Sequence, residues 1–141
     1  MVESKSGSAK TLGNYKLLKK LGEGGFGKVF LAIDLESGEH VAVKTFKPDK
    51  GEKAKFKKSF EAECEAAKQE LEHPNVLVIE AAGLLPIKQN NEAIGKPVYY
   101  TVSKLAENSE AFEFVEAAEG LKDRYARTLF GQLMSAVAYI H

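Results

Sequence analysis

Apolar and polar positions alternate along three short stretches near the start of the chain. β-Branched and aromatic residues recur in Tyr15–Leu21, Lys28–Asp34 and Glu39–Phe46, and glycine, aspartate and serine residues bound these stretches. This pattern is typical of strands. Ser37 and Gly38 separate the second and third stretches and predict a hairpin turn. The three stretches therefore predict an antiparallel meander.

A helical period follows the third predicted strand. The apolar residues that recur there at spacings of three and four are Phe56, Phe60, Cys64, Ala67 and Leu71. This spacing predicts an amphipathic helix. His73 precedes a proline, and a residue in that position is pushed out of helical space, so the helix is predicted to end before it.

The second half of the chain predicts two more strand regions and two helices. The strand-like runs are Val76–Ile79 with Leu84–Ile87, and then Pro97–Ser103. The polar segment Gln89–Lys96 between them predicts a loop. A short helix capped by Asn108 or Ser109 is expected to run to about Ala118. A long helix is expected from Leu121 to the end of the sequence.

The apolar side chains of the last predicted helix need other elements to pack against. Its second half, from Leu133 to Ile140, is apolar nearly all round, and such a helix needs neighbours on several sides. We expect either that the chain stops inside a core or that a partner protein covers residues 121–141.

Composition excludes several classes of function. The 141 residues are 44% hydrophobic and 28% charged, with a net charge of zero, which favours one domain or part of one and gives no reason to expect nucleic acid or a membrane as partner. Residues 1–13 are small and polar and predict a disordered tail without a secretory signal. The single cysteine, Cys64, fits a reducing compartment, so we expect an intracellular, cytoplasmic protein, with a nuclear location left open. The three histidines and one cysteine have no zinc-binding spacing, so no metal site is predicted.

A glycine-rich turn carries the strongest chemical signal. Gly22, Gly24 and Gly27 give the spacing G-x-G-x-x-G, which occurs in dinucleotide-binding folds as well as in other phosphate cradles. In a dinucleotide fold a helix follows the third glycine, whereas residues 28–33 here predict a strand. The glycines would let backbone N–H groups approach phosphate oxygens. A hairpin turn that is simply rich in glycine is the structural alternative.

Lys44 makes the phosphate interpretation stronger. Side chains alternate along a strand, so Ala42 and Lys44 should face away from Val41 and Val43. A small residue beside the lysine leaves room for a flat ring, with the ammonium group reaching past it. A surface lysine on an edge strand is the alternative.

Several motifs together resemble the eukaryotic protein kinase family. L-G-E-G-G-F-G-K-V at residues 21–29 is similar to its glycine-rich loop, and V-A-V-K at 41–44 to the strand that carries its nucleotide lysine. F-E-A-E at 60–63 resembles part of its C-helix, and H-P-N-V at 73–76 the segment after that helix. Residues 105–114 resemble the hinge and the start of the D-helix, most closely those of calcium/calmodulin-type serine/threonine kinases. Residues 127–141 resemble the E-helix. The resemblance covers Tyr15 to His141.

The resemblance implies an α+β fold and its boundaries. A kinase-like N-lobe, with a five-stranded antiparallel sheet and the C-helix, would occupy residues 14–103. A hinge would follow at 104–108, and the first two helices of an incomplete C-lobe at 109–141.

The resemblance also implies an ATP site. Leu21, Val29 and Ala42 would enclose the adenine, and Lys44 would contact the α- and β-phosphates while pairing with a glutamate. The backbone of Lys104 and Ala106 would bind the adenine edge, and Glu110 would lie near the ribose. The backbone N–H groups of residues 24–27 would cover the phosphates. The loop residues assigned to nucleotide binding are Gly22, Glu23, Gly24, Gly25, Phe26 and Gly27.

Some positions depart from the family pattern. The paired glutamate usually lies nine residues before the histidine of H-P-N, where this chain has Cys64. Glu63 is the first candidate and Glu65 the second, and Glu63 could also be a solvated helix residue. Ser103 replaces a bulky residue behind the adenine, which would enlarge the pocket there, and Lys104 replaces a usual glutamate.

Two motifs of the family do not occur in these 141 residues. Neither H-R-D-x-x-x-x-N nor D-F-G is present, so no residue here would hold Mg²⁺ or accept the substrate proton. We expect ATP as the cofactor, with Mg²⁺ and a protein substrate used only by a full-length parent kinase. The chain alone is expected to be inactive, and a kinase-derived module that binds a protein partner is the alternative.

Overall fold

The computed structural model describes residues 8–25, 27–46, 53–67, 69, 72–106 and 111–141, and within α1 and α2 the side chains of 57–67, 113 and 115–117. The strands are β1 (Lys10–Leu12), β2 (Tyr15–Gly24), β3 (Gly27–Asp34), β4 (His40–Phe46), β5 (Ile79–Gln89) and β6 (Glu92–Lys104), and the helices are α1 (Lys53–Ala67), α2 (Ala111–Ala117) and α3 (Asp123–Ile140). The chain forms two compact units, Met1–Gln69 with Ile79–Leu105, and Glu70–Val78 with Ala106–His141.

The strands of the first unit form a closed antiparallel barrel in the order β1-β2-β3-β4-β6-β5. The prediction of five strands was therefore one short, and the expected disordered tail of residues 1–13 was wrong for residues 10–12. Strand β1 pairs with β2 on one side and β5 on the other. Leu12 explains why this short segment is ordered, because its side chain is fully buried in the core.

Removing the Leu12 side chain is expected to destabilise the barrel. Leu12→Ala takes a buried leucine out of the core and should lower the free energy of unfolding by about 2–4 kcal/mol. Urea unfolding measures this change. Lys10→Ala on the same strand is the control, since its side chain is exposed and its loss should cost less than about 0.5 kcal/mol. Equal effects of the two substitutions would contradict the role of Leu12 in closing the barrel.

Alternation along β4 produces the barrel core. Val41 and Val43 are buried, while Ala42 and Lys44 between and beyond them are half-buried on the other face. This confirms the predicted alternation. The buried residues that cluster inside the barrel are Leu12, Leu17, Ala32, Val41, Val43, Val98, Tyr100 and Val102.

The region between β5 and β6 differs from the prediction. The polar segment 89–96 was expected to be a loop, but the two strands continue through it and only Asn90 and Asn91 form the turn. Both asparagines have positive φ angles, 54° and 64°, which is the conformation of a tight two-residue hairpin turn. Pro86 is accommodated within β5 because the register shifts between Leu85 and Ile87, and an irregularity tolerates the missing N–H.

In the second unit, helix α3 contacts the segment that follows α1 in the chain. The α2 helix ends at Ala117, close to the predicted end at Ala118. Gly120 follows with a φ of 112°, and its backbone N–H donates a hydrogen bond to the Val115 carbonyl. The His73 ring hydrogen-bonds to Ser135 at 3.0 Å and lies 5.1 Å from the Tyr139 ring. These contacts hold the 72–78 segment against α3.

Helix α3 keeps most of its apolar side chains exposed. Ala136 is buried, whereas the large apolar residues at least partly open to solvent are Tyr125, Leu129, Phe130, Leu133, Met134, Val137, Tyr139 and Ile140. The protein partner that would cover residues 121–141 stays a prediction. In the part of the chain that the structure describes, no helix is both long and apolar enough to cross a membrane.

Candidate functional site

The glycine-rich segment forms the end of a hairpin. Strand β2 runs to Gly24 and β3 begins at Gly27, and these two residues are paired across the hairpin. Residues 28–33 lie within β3, so a strand and not a helix follows the third glycine. This arrangement rules out the dinucleotide-binding alternative, which requires a helix at that point.

The glycines of the hairpin differ in what an added side chain would meet. Gly27 has a φ of 139°, and a Cβ atom there would lie 1.8 Å from the backbone oxygen of Thr45. The protein itself therefore demands glycine at residue 27. At Gly22, Gly24 and Gly25 a Cβ would meet no atom of the described residues within 4 Å. The space beside these residues is open to another molecule.

The face of the sheet below the hairpin gathers the predicted nucleotide residues. Directly opposite residues of paired strands share one face, and Lys44 lies opposite Val29 on β3 and Thr101 on β6. Ala42, two residues earlier on the same face, lies opposite Ser103. The sheet register thus places Val29, Ala42 and Lys44 together beneath the glycine hairpin.

Lys44 forms an ion pair with Glu63. The Lys44 ammonium donates a hydrogen bond to the Glu63 carboxylate, and the two side chains are 32% and 33% exposed. Nineteen residues separate the partners, so the pair connects β4 to α1. The structure therefore brings together the lysine and the first of the two candidate glutamates, and Glu65 lies exposed on the same helix. A lysine held in this way presents a fixed positive charge on the sheet, with Val29 of β3 between it and Gly22 of β2.

The exposed Glu23 of the hairpin lies between two lysines. Its carboxylate accepts a hydrogen bond from the Lys20 ammonium at 2.7 Å, and Lys28 lies 3.8 Å from its other oxygen. The hydrogen bond from Lys20, with the positive charges of both lysines, holds the pKa of Glu23 below its ordinary value. Lys20 and Lys28 belong to different strands, so the three charges link the two sides of the hairpin.

This arrangement predicts how Glu23 titrates. Replacing Lys20 by Met removes the largest cause of the shift, so the pKa of Glu23 should rise towards the ordinary glutamate value. Because the folded-state pKa is the lower one, the small stabilisation is present above the unfolded pKa and disappears as the pH falls through the folded pKa. An NMR titration of the side-chain carboxyl measures the pKa. Lys19→Met is the control, and an unchanged Glu23 pKa in Lys20→Met would contradict the assignment.

The remaining predicted site residues are placed more loosely or not at all. Leu21 lies on β2 and is 46% exposed. Lys104 is the last residue of β6, opposite Val41, and Ala106 is exposed in the second unit. Phe26 and Glu110 lie outside the described residues. The nucleotide contacts expected of these five residues stay predictions.

The described residues offer no ready cage for a metal ion. Among them, no group of three or more histidine, cysteine, aspartate or glutamate side chains lies close enough together to hold one. Lys44 and Glu63 supply one positive and one negative group, which suits an anionic ligand held by the lysine better than a bare cation.

Sequence reasoning missed two residues beside Lys44. Thr101 is buried and directly opposite it, and Phe46 is fully buried with its ring centroid 4.8 Å from the Lys44 ammonium. The alternation along β4 could have indicated Phe46, since it lies two residues after Lys44 on the same face. Only the strand pairing could identify Thr101.

Comparison with known proteins agrees with this geometry. The family model described as protein kinase domain matches residues 15–141, nearly the whole chain. The chain belongs to the protein kinase family. This confirms the resemblance inferred from the glycine loop, the strand lysine and the helix motifs.

Curated relatives of this kinase chain include proteins named as serine/threonine kinases. It is 33% identical over 130 residues to the probable serine/threonine-protein kinase MARK-C of Dictyostelium discoideum, covering 92% of this chain and 16% of that protein. It is 32% identical over 139 residues to CBL-interacting protein kinase 1 of Oryza sativa subsp. japonica, covering 99% of this chain and 28% of the relative. CBL-interacting serine/threonine-protein kinase 7 of Arabidopsis thaliana is 34% identical over 130 residues, 92% of this chain and 28% of its own length. The kinase chain thus spans between a sixth and about three tenths of the curated relatives it matches.

Proposed function

We propose that this chain is the ATP-binding part of a serine/threonine protein kinase, which transfers the γ-phosphoryl group of ATP to a serine or threonine hydroxyl of a protein. The first unit is the kinase N-lobe in this proposal, and α1 is its C-helix. The ion pair between Lys44 and Glu63, on the sheet face below the glycine hairpin, is the observation that carries the proposal. Membership of the kinase family and serine/threonine kinases as relatives support it.

Lys44 is proposed to hold the α- and β-phosphates. Its ammonium is kept in one place by Glu63 while a third of the side chain stays accessible. Charge-assisted hydrogen bonds from lysine to phosphate are short and strong, and they depend on such a fixed position. Glu63 acts on the lysine alone, since a carboxylate would repel the phosphates.

The open glycines are proposed to cover the phosphates. The described residues give no reason for glycine at 22, 24 and 25, because a Cβ there would meet none of their atoms within 4 Å. Close approach of a ligand to the backbone supplies that reason, since bare N–H groups can then donate to phosphate oxygens. Gly27 keeps the hairpin in the shape that places these groups.

Val29, Ala42 and Leu21 are proposed to contact the adenine ring. Val29 and Ala42 lie on the Lys44 face of the sheet, and Ala42 leaves the space that a flat ring needs. The small side chain of Ser103, opposite Ala42, extends that space. ATP thus fits the residues present, and its own Mg²⁺, which shields phosphate charge when bound, finds no cage of side chains among the described residues.

Nucleotide binding without transfer is the proposed behaviour of the 141 residues alone. The family's catalytic-loop Asp and Asn and its D-F-G Asp, which orient the hydroxyl and hold the metal, have no counterpart in the sequence. Lys44 positions phosphates but cannot accept the hydroxyl proton. Two of the relatives are named as CBL-interacting kinases. We propose for this chain only that it too binds a protein partner.

Calorimetric titration with ATP and with NAD⁺ tests the proposal. We expect saturable binding of ATP and none of NAD⁺, and no transfer of radiolabelled γ-phosphate to serine/threonine peptides by the 141-residue chain. Binding of NAD⁺ in preference to ATP, or no binding of either, would overturn the assignment of the nucleotide. Peptide phosphorylation that disappears in Lys44→Met would overturn the proposed lack of transfer.

A further inference from the structure

Three aromatic rings meet behind the ion pair, each from a different element. Phe60 of α1 lies 5.8 Å from Phe46 of β4, with the ring planes at 71°, and 4.7 Å from Tyr99 of β6, with the planes at 32°. Phe46 and Tyr99 are directly opposite each other on paired strands. The Phe60 ring therefore packs against two adjacent rings of the sheet at once. We call these three residues the aromatic cluster.

The aromatic cluster touches the lysine as well. Phe46 is fully buried, and its ring centroid is 4.8 Å from the Lys44 ammonium. A cation above an aromatic face is attracted by the electrons of the ring. Lys44 is thus held by the Phe46 ring and by the Glu63 carboxylate, and Phe60 contacts the first of these groups.

Phe60 and Glu63 lie three residues apart on α1. Residues three apart on a helix are neighbours on one face, so the contact of Phe60 with the sheet directs Glu63 towards the same sheet. Within residues 57–67, where the side chains of α1 are described, Phe60 is the only large apolar residue. The exposed neighbours Lys57, Lys58 and Glu61 face solvent and cannot set the position of the helix.

We infer that Phe60 is a positioning residue, whose packing between Phe46 and Tyr99 holds Glu63 against Lys44. The cluster fixes both ends of the ion pair, because it supports the lysine through Phe46 and the glutamate through α1. Loss of the Phe60 ring frees α1 to shift on the sheet and separates the pair. The inference rests on the proposed function only for the use of the pair in holding ATP phosphates.

Zero-length carbodiimide cross-linking of the nucleotide-free chain tests this directly. The reagent joins a carboxylate to an amine only where they touch, so mass spectrometry of the digest should find a Lys44–Glu63 cross-link. Phe60→Ala is expected to lower its yield about fivefold, since two ring contacts are lost. Phe60→Tyr keeps the ring and should restore the yield. The Lys20–Glu23 pair, 2.7 Å apart on the hairpin, is the reference inside each molecule and should cross-link equally in all variants.

The control variant is Lys58→Ala, which alters an exposed side chain of the same helix and should leave both cross-links unchanged. Phe60→Leu serves if the alanine variant does not fold by circular dichroism, and its Lys44–Glu63 yield should fall about twofold. A folded Phe60→Ala or Phe60→Leu chain with the full Lys44–Glu63 yield overturns the inference. So does a Phe60→Tyr variant that behaves like alanine.

ATP titration of the same variants separates this inference from the proposed function. If the Lys44–Glu63 yield falls when the Phe60 ring is lost and the chain binds no ATP, the positioning role is supported and the nucleotide assignment is removed. A Phe60→Ala chain that binds ATP and keeps the full cross-link would support the nucleotide assignment and remove the positioning role. If both hold, the ATP affinity of Phe60→Ala should fall while Phe60→Tyr retains it.

Discussion

Replacing Lys44 by Met is expected to lower the affinity of the chain for ATP about 10–100-fold, because hydrogen bonds between charged groups contribute about 1.5–3 kcal/mol. Methionine retains much of the length and apolar character of the lysine stem but carries no charge for the phosphates or for Glu63. The fold should survive, since Lys44 is 32% exposed and its ion pair is not buried in the core. Calorimetric titration gives the affinity, and urea unfolding shows whether the chain is intact.

Two further variants sharpen this result. Glu63→Gln keeps a hydrogen-bonding partner for Lys44 and should lower the affinity for ATP less than the loss of the lysine itself. Lys19→Met removes an exposed lysine from β2 and is the matched control for charge, with an expected affinity close to that of the unmodified chain. A folded Lys44→Met chain that binds ATP as tightly as this control would show that Lys44 holds no phosphate.

The regular strands and the site face could be predicted because local pattern decides them. Val41 and Val43 are apolar, Ala42 and Lys44 stand between and beyond them, and the period of two already assigns their faces. The hairpin at Ser37 and Gly38 follows from turn chemistry in the same way. The structure adds a detail there, since the backbone N–H of Glu36 donates to the Asp34 carboxylate at 2.9 Å.

Strand β1 could not be predicted, because its order comes from distant partners. Lys10–Leu12 is too short to show a period, and its neighbours in the sheet include Ile87–Gln89, far along the chain. The turn at Asn90 and Asn91 did carry a signal, since asparagine tolerates positive φ. The polar residues on both sides of the two asparagines predicted a longer loop, so the tight turn was not predicted.

The sequence alone could not decide which glutamate pairs with Lys44. The family spacing counted back from His73 reaches Cys64, so the candidates were its two neighbours, Glu63 first and Glu65 second. How α1 is placed on the sheet decides between them, and that depends on the contacts of Phe60 with β4 and β6. No local pattern contains those contacts.

Gly27→Ala is expected to be among the most damaging single substitutions in the glycine hairpin. Gly27 has a φ of 139°, and its new Cβ would lie 1.8 Å from the Thr45 carbonyl oxygen. The backbone of β4 cannot move away without loosening the pairing of Lys28 with Thr45. We expect the free energy of unfolding to fall by about 2–4 kcal/mol, as for other strained backbone positions. Urea unfolding measures the change.

Gly24→Ala should behave in the opposite way, which makes it the decisive comparison. Among the residues that the structure describes, none has an atom within 4 Å of a Cβ at Gly24, so stability should change by less than about 0.5 kcal/mol. The affinity for ATP should nevertheless fall, because the new methyl group occupies space proposed for the phosphates. If Gly24→Ala and Gly27→Ala reduced stability equally, the distinction between a glycine required by the fold and one required by the ligand would be wrong. Unchanged ATP affinity in Gly24→Ala would argue that the open space beside the hairpin takes no nucleotide.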